Sequence, residues 1–229
     1  WKPSSPLQNL QQRARTLASI RRFFAERDVL EVETPILAST TVPDVYIESI
    51  SAELKDGNNS EAYFLQTSPE FFMKRLLASG SGSIYQLTKA FRQEEKGRIH
   101  NTEFTLLEWY RVSYSLEELM TELECLVQEI LGCDPIPRFS YREIFQKHLH
   151  IDPHQIPLAE LEQLARERID LAGSDLSKTD YLQLLLANAI EPELPAFCFI
   201  YDYPQEQAAL STLAEDDFSV VVAKRFELF

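Results

Sequence analysis

Glycine is scarce in this chain of 229 residues. Its six glycines form neither a Gly-x4-Gly-Lys-Ser/Thr run nor a Gly-x-Gly-x2-Gly run. The sequence therefore lacks both of the glycine-rich loops that commonly cradle phosphate groups. A nucleotide that binds to this chain has to be held by side chains on a sheet.

Cysteines and long apolar runs are also few. The three cysteines, Cys125, Cys133 and Cys198, are too scattered for a disulfide framework or a zinc site, and we expect them to be reduced and buried. No apolar run approaches the ~18–20 residues that cross a bilayer. The first residues also lack the apolar region of a signal peptide. We therefore expect a cytoplasmic protein with no membrane partner.

Positive charge is in deficit. The chain has 22 Lys and Arg against 36 Asp and Glu, which gives a formal net charge of -14. Such a chain repels the phosphate backbone and is a poor non-specific binder of nucleic acid. The acidity has a simpler alternative explanation, which is that it only aids solubility.

The order of helical and alternating patterns predicts an α+β fold, with a mainly antiparallel sheet flanked by helices. The predicted helices cover residues 7–28, 69–79, 116–131, 140–149, 158–169 and 178–190. The predicted strands cover residues 29–32, 46–51, 63–67, 83–92, 103–111 and 197–203. Ser68 is the expected N-cap of the second helix, with Pro69 in its first turn. Ser115 and Gly132 are expected to bound the third helix.

Two of these strands, 83–92 and 103–111, enclose a charged loop. Because side chains alternate along a strand, each strand has one bulky apolar face and one mixed face. The mixed faces carry Gln86, Thr88, Ala90 and Arg92, and Phe104, Leu106, Glu108 and Tyr110. A half-buried sheet with one face toward solvent would show such a pattern. Arginine, histidine and amide groups beside an aromatic ring would equally suit a nucleoside triphosphate.

The residues of this strand pair resemble a known family. Residues 91–95 and 98–110 resemble motif 2 of class II aminoacyl-tRNA synthetases in its lysine-specific form. The first helix and Val32-Glu33-Thr34-Pro35 resemble motif 1, which forms the dimer interface in that family. Residues 67–70 resemble its amino-acid-binding element. The resemblance implies a class II catalytic core over residues 1–229, a helical insertion at about 135–195, and a homodimer.

The resemblance also implies roles for individual residues. Arg92 would be catalytic, because it would hold the α-phosphate and the substrate carboxylate and stabilise the charge of the in-line attack. The implied ATP-binding residues are Arg92, Gln93, Glu94, His100, Asn101 and Phe104. Within that set, Glu94 would bind the adenine amino group and Phe104 would stack on the base.

The substrate-binding residues implied by the resemblance are Ser68, Pro69, Glu70, Glu108 and Tyr110. Glu70 would bind the α-amino group of the amino acid. A diamine needs carboxylates for two ammonium groups, so Glu70 and Glu108 favour lysine or a lysine isomer over a neutral or acidic amino acid.

Within the family, residues 21–25, 29–35 and 107–111 resemble the branch that attaches (R)-β-lysine to a lysine of elongation factor P. Two further features favour this branch. Ser68 stands where lysyl-tRNA synthetases are expected to have alanine, and no anticodon-binding barrel precedes motif 1 in this chain. The resemblance implies adenylation of lysine or (R)-β-lysine with ATP, then transfer to elongation factor P and not to tRNA. The alternatives are the core of a lysyl-tRNA synthetase that charges tRNA, and an inactive paralogue that acts as a binding module.

One part of the family pattern has no match in this chain. Motif 3, and the acidic segment with magnesium ligands that comes before it, are not found up to Phe229. Mg²⁺ is therefore implied by the resemblance, but we assign no metal ligand among these residues.

Overall fold

The computed structural model describes residues 5–42, 47–56, 59–93, 97, 100–171 and 176–229. The chain divides into two compact units, Trp1–Tyr114 and Ser115–Phe229. Each unit contains both helices and strands, and most strand pairs are antiparallel. The predicted α+β class with mainly antiparallel pairing is confirmed.

Unit 1 contains two small sheets. Its helices are α1 (Leu7–Ala25) and α2 (Glu70–Ala78). Its strands are β1 (Leu30–Glu31), β2 (Leu37–Ala38), β3 (Ser51–Asp56), β4 (Asn59–Leu65), β5 (Ile84–Phe91) and β6 (Glu103–Tyr110). The sheet orders are β1-β5-β6 and β2-β4-β3, and only the short β1–β5 pair is parallel.

The buried side chains of α1 are Ile20, Phe23 and Phe24, and its C-terminal end packs against the apolar face of β5 and β6. The ring of Phe24 is fully buried and lies 4.5 Å from the ring of Tyr85 and 5.7 Å from that of Trp109. Near the start of the helix, by contrast, Leu7 is 68% exposed and Leu10 is 49% exposed. Helix α1 is therefore buried within the described part of this chain only near its C-terminal end.

Several predicted boundaries in unit 1 shift: α1 ends at Ala25 instead of residue 28, and β4 is Asn59–Leu65 instead of residues 63–67. The hairpin forms, but its first strand begins at Ser51, and residues 47–50 are not in a strand. Residue 46 and the turn residues 57 and 58 lie outside the described residues. Helix α2 begins one residue later than predicted, with Pro69 as its N-cap. The Ser68 hydroxyl still accepts the backbone N–H of Glu70 at 3.1 Å, so it satisfies one of the first N–H groups of the helix.

Unit 2 places helices around a mixed sheet. The helices are α3 (Leu116–Leu131), α4 (Tyr141–Leu149), α5 (Leu158–Arg168) and α6 (Lys178–Leu185), and α6 continues into a π-helical turn, Leu186–Ile190. The strands are β7 (Arg138–Ser140), β8 (Phe199–Pro204), β9 (Leu213–Glu215) and β10 (Val221–Leu228), in the order β7-β8-β10-β9. The predicted helices of the 135–195 segment are present, whereas β7 was not predicted.

A capping box begins three of the four α-helices described in unit 2. Ser115, Ser140 and Ser177 each accept the N3 backbone N–H of their helix, and the N3 side chain returns a hydrogen bond to the cap backbone. Gly132 ends α3 with φ 66°, as predicted, because a left-handed residue suits glycine.

An ion pair joins α3 to β7. The Glu124 carboxylate accepts the backbone N–H of Ile136 at 2.9 Å and pairs with Arg138 at 2.9 Å. The hydrogen bond from the Ile136 backbone N–H is the main cause that lowers the pKa of Glu124. Burial acts in the opposite direction, and the interaction with Arg138 lowers the pKa further.

The cysteine prediction was wrong in part: all three are free thiols, but only Cys198 is buried, and Cys125 is exposed. None of the described helices combines the length and the apolar character needed to span a membrane.

Candidate functional site

The register of β5 and β6 merges the two predicted mixed faces into one surface. Gln86 lies opposite Glu108, and Ala90 lies opposite Phe104. Directly opposed residues of an antiparallel pair point to the same side of a sheet. The other surface pairs Tyr85 with Trp109 and receives α1. The packing of α1 thus leaves the mixed surface as the candidate site.

Glu108 is the centre of the hydrogen-bond network on this surface. The Tyr110 hydroxyl donates to Oε1 of Glu108 at 2.6 Å, and the Ser68 hydroxyl donates to Oε2 at 2.7 Å. Hydrogen bonds to an ionised acceptor are stronger than hydrogen bonds between neutral groups. The two donors therefore hold this half-buried carboxylate in one orientation.

Tyr110 stays protonated over the physiological range. Burial raises the pKa of Tyr110 well above its ordinary value of 10.0, and the hydrogen bond to Glu108 raises it further. The negative charges of Glu108 and Glu70 act in the same direction. Tyr110 is therefore a neutral donor beside two carboxylates.

Ser68 connects the two acidic residues. Its hydroxyl donates to Glu108 while it accepts the backbone N–H of Glu70. The Glu70 carboxylate extends from the first turn of α2 and binds the ammonium of Lys74 at 2.6 Å. The structure thus brings together Ser68, Glu70, Glu108 and Tyr110. The buried Pro69 lies between Ser68 and Glu70 and is the N-cap of α2. Two carboxylates in one cluster suit a ligand with two positive charges.

Two residues of this region were not among the predicted site residues. Lys74 follows Glu70 by four positions on α2, a spacing that brings opposite charges together and could have been recognised in the sequence. Gln86 is buried opposite Glu108, and its Oε1 accepts the hydroxyl of Thr34 at 3.0 Å. That contact spans 52 positions and leaves no local sequence pattern.

The predicted ATP-binding residues are only partly brought together. The guanidinium carbon of Arg92 lies 5.1 Å from the centroid of the Phe104 ring, which is a cation–π distance. Gln93, His100 and Asn101 have exposed side chains. Glu94 lies outside the described residues. The proposed phosphate-binding group and the proposed adenine-stacking ring are therefore neighbours.

A metal site does not emerge from the described ranges. Among those residues, no three His, Cys, Asp or Glu side chains form a group that could hold a metal ion.

Comparison with known proteins bears on this site. The family model of class II tRNA synthetases (D, K and N) matches residues 3–229. The chain is 44% identical over 238 residues to a protein of Yersinia enterocolitica named elongation factor P--(R)-beta-lysine ligase, which covers 100% of this chain and 72% of that relative. Two further proteins have the same name. The chain is 44% identical over 237 residues to the one from Erwinia tasmaniensis and 42% identical over 235 residues to the one from Mannheimia succiniciproducens. Each match again covers 100% of this chain and 72% of the relative.

Proposed function

This chain belongs to the family of class II tRNA synthetases (D, K and N), and on that premise we propose that it activates a lysine-type amino acid with ATP and transfers it to a lysine of elongation factor P. The observation that carries the proposal is the cluster of Ser68, Glu70, Glu108 and Tyr110. The names of the three relatives point to (R)-β-lysine as the amino acid and to elongation factor P as its acceptor.

The acidic cluster suits the two ammonium groups of such a substrate. One ammonium would bind Glu70 in place of Lys74, and the other would bind Glu108. Tyr110 and Ser68 already donate to Glu108, so the carboxylate is oriented before the substrate arrives. A preorganised partner reduces the entropy lost on binding. The cluster thus favours a diamine over an amino acid with a neutral side chain.

The first reaction step would form an adenylate. A carboxylate oxygen of the amino acid attacks the α-phosphorus of ATP, a new P–O bond forms, and the P–O bond to pyrophosphate breaks. Arg92 would stabilise the negative charge that gathers on the α-phosphate oxygens. The base would stack on Phe104, whose ring lies next to the Arg92 guanidinium.

The second step would form an amide. The neutral ε-amine of the acceptor lysine attacks the carbonyl carbon of the adenylate. The C–O bond to AMP breaks, and the attacking nitrogen releases a proton. ATP enters as a substrate, and Mg²⁺ is implied by the family alone, so none of these steps is assigned to a metal.

We also propose a cytoplasmic homodimer formed through α1. The exposed leucines at the start of this helix, Leu7 and Leu10, support an interface there. Transfer to tRNA is not proposed, because the net charge of -14 opposes non-specific binding of nucleic acid.

The test is pyrophosphate release by the protein from its complete gene, with α-lysine and (R)-β-lysine compared. We expect a preference for (R)-β-lysine, followed by transfer to elongation factor P. Charging of tRNA with α-lysine would instead identify a lysyl-tRNA synthetase. Failure to release pyrophosphate with either amino acid would leave a binding module.

A further inference from the structure

The ion pair of Glu70 and Lys74 occupies the place at which an amino group of the substrate would bind. Nζ of Lys74 lies 2.6 Å from Oε1 of Glu70, and the two residues are four positions apart on α2. The Lys74 ammonium is the same kind of group as the ammonium of the substrate, and it is held on the same carboxylate. Lys74 therefore has to give up this contact when a substrate binds to Glu70.

The structure lets Lys74 leave at little cost. The Lys74 side chain is 40% exposed and the Glu70 side chain is 33% exposed. Ion pairs this exposed, four positions apart on a helix, contribute little to stability. The rest of the cluster has its own hydrogen bonds, since Ser68 and Tyr110 donate to Glu108. The site can therefore exchange the partner of Glu70 and keep its shape.

A released Lys74 ammonium needs a new anion, and a lysine-type substrate carries one. One carbon atom separates the carboxylate from the nearer amino group in α-lysine, and two carbon atoms separate them in β-lysine. An amino group on Glu70 therefore brings the carboxylate close to Lys74, whose flexible stem lets its ammonium follow. Both new contacts join opposite charges, so no charge is left without a partner.

We propose that Lys74 is a further substrate-binding residue, which exchanges the Glu70 carboxylate for the carboxylate of the amino acid. The amino and carboxyl groups of the substrate insert between Glu70 and Lys74, so that one ion pair becomes two. Lys74 then binds the carboxylate oxygen that does not attack ATP. The inference rests on the proposed binding of a lysine-type amino acid at Glu70, but it does not require transfer to elongation factor P.

The test compares (R)-β-lysine with 1,4-diaminopentane, which is the same molecule without its carboxyl group. Isothermal titration calorimetry measures the binding of each to the protein from the complete gene and to its variant Lys74→Met. The variant should bind (R)-β-lysine about tenfold more weakly, because the carboxylate loses a charged partner. It should bind 1,4-diaminopentane about threefold more tightly, because Lys74 no longer competes for Glu70. A merely structural role would weaken both ligands together.

Two further variants serve as controls. Lys74→Arg keeps the charge and should change neither affinity by more than about threefold. Lys89→Met removes one positive charge from the same unit, but Lys89 is 48% exposed and pairs with Glu103 at 2.8 Å. That variant should change both affinities by less than about twofold, which separates a local exchange from a general effect of net charge.

The same comparison with α-lysine and 1,5-diaminopentane makes the result independent of which isomer is the substrate. Changes of the same sign for an amino acid and its diamine in Lys74→Met, or unchanged affinity for both amino acids, would overturn the proposal. Pyrophosphate release by the unchanged protein is measured separately. If it is absent while the affinities change in opposite directions, Lys74 stands as a binding residue and only the proposed enzymatic activity fails.

Discussion

Replacing Glu108 by glutamine would remove one negative charge from the acidic cluster and keep the size of the side chain. It would also disturb the hydroxyls of Ser68 and Tyr110, which donate to separate oxygens of Glu108. A glutamine amide offers one oxygen acceptor, and its nitrogen cannot accept. One of the two hydroxyls would therefore lose its acceptor.

The size of the effect follows from the burial of Glu108. Breaking a fully buried ion pair costs about 3–5 kcal/mol, whereas an exposed pair contributes less than about 1 kcal/mol. Glu108 is half-buried, so we expect the transition state with a lysine-type substrate to lose about 2–3 kcal/mol. Because about 1.36 kcal/mol corresponds to tenfold, kcat/KM should fall about 30- to 150-fold.

The assay is pyrophosphate release with two substrates, (R)-β-lysine and its analogue 3-aminohexanoic acid, which lacks the distal ammonium. The large loss should appear only with (R)-β-lysine. Glu103→Gln is a matched control on the same strand. Glu103 belongs to the opposite face, its side chain is 55% exposed, and it pairs with Lys89 at 2.8 Å. That control should change kcat/KM less than about twofold.

Two results would refute this reasoning. Equal losses with both substrates would show that Glu108 supports the fold of the site and not the distal ammonium. Activity with (R)-β-lysine that survives Glu108→Gln within about twofold would mean that the ammonium binds elsewhere.

Three further changes test other contacts. Ser68→Ala removes a donor to Glu108, so kcat/KM for (R)-β-lysine should fall about tenfold while the melting temperature changes little. Tyr85 donates to Glu31 at 2.9 Å, and burial first, then that bond, raises its pKa from 10.0 to about 12. The stabilisation that the protonated Tyr85 contributes is complete below pH 10 and is lost as the pH rises toward 12. In urea unfolding, the free energy of unfolding of the unchanged chain should therefore fall relative to that of Tyr85→Phe over this pH range. Glu124→Gln should destabilise the chain by about 1–2 kcal/mol at neutral pH. Because the folded pKa of Glu124 is depressed, that difference should vanish as the pH falls well below 4.5.

Short-range patterns in the sequence predicted much of the secondary structure. Helix α3 was predicted from Ser115 to Gly132 and has those limits, because a capping box and a left-handed glycine are encoded within one turn of each end. The mixed faces of β5 and β6 were also predictable, since side-chain alternation depends only on the strand itself. The family resemblance also rested on contiguous segments, among them residues 91–95 and 98–110, and is confirmed by the comparisons.

Other features depended on contacts between distant residues. Ser68 was expected to cap α2, but its bond to Glu108 joins positions forty residues apart. The exposure of Leu7 and Leu10 could not be predicted from the helical spacing of the apolar residues either. Periodicity shows which face of an element is apolar, but only tertiary packing decides how much of that face another element covers.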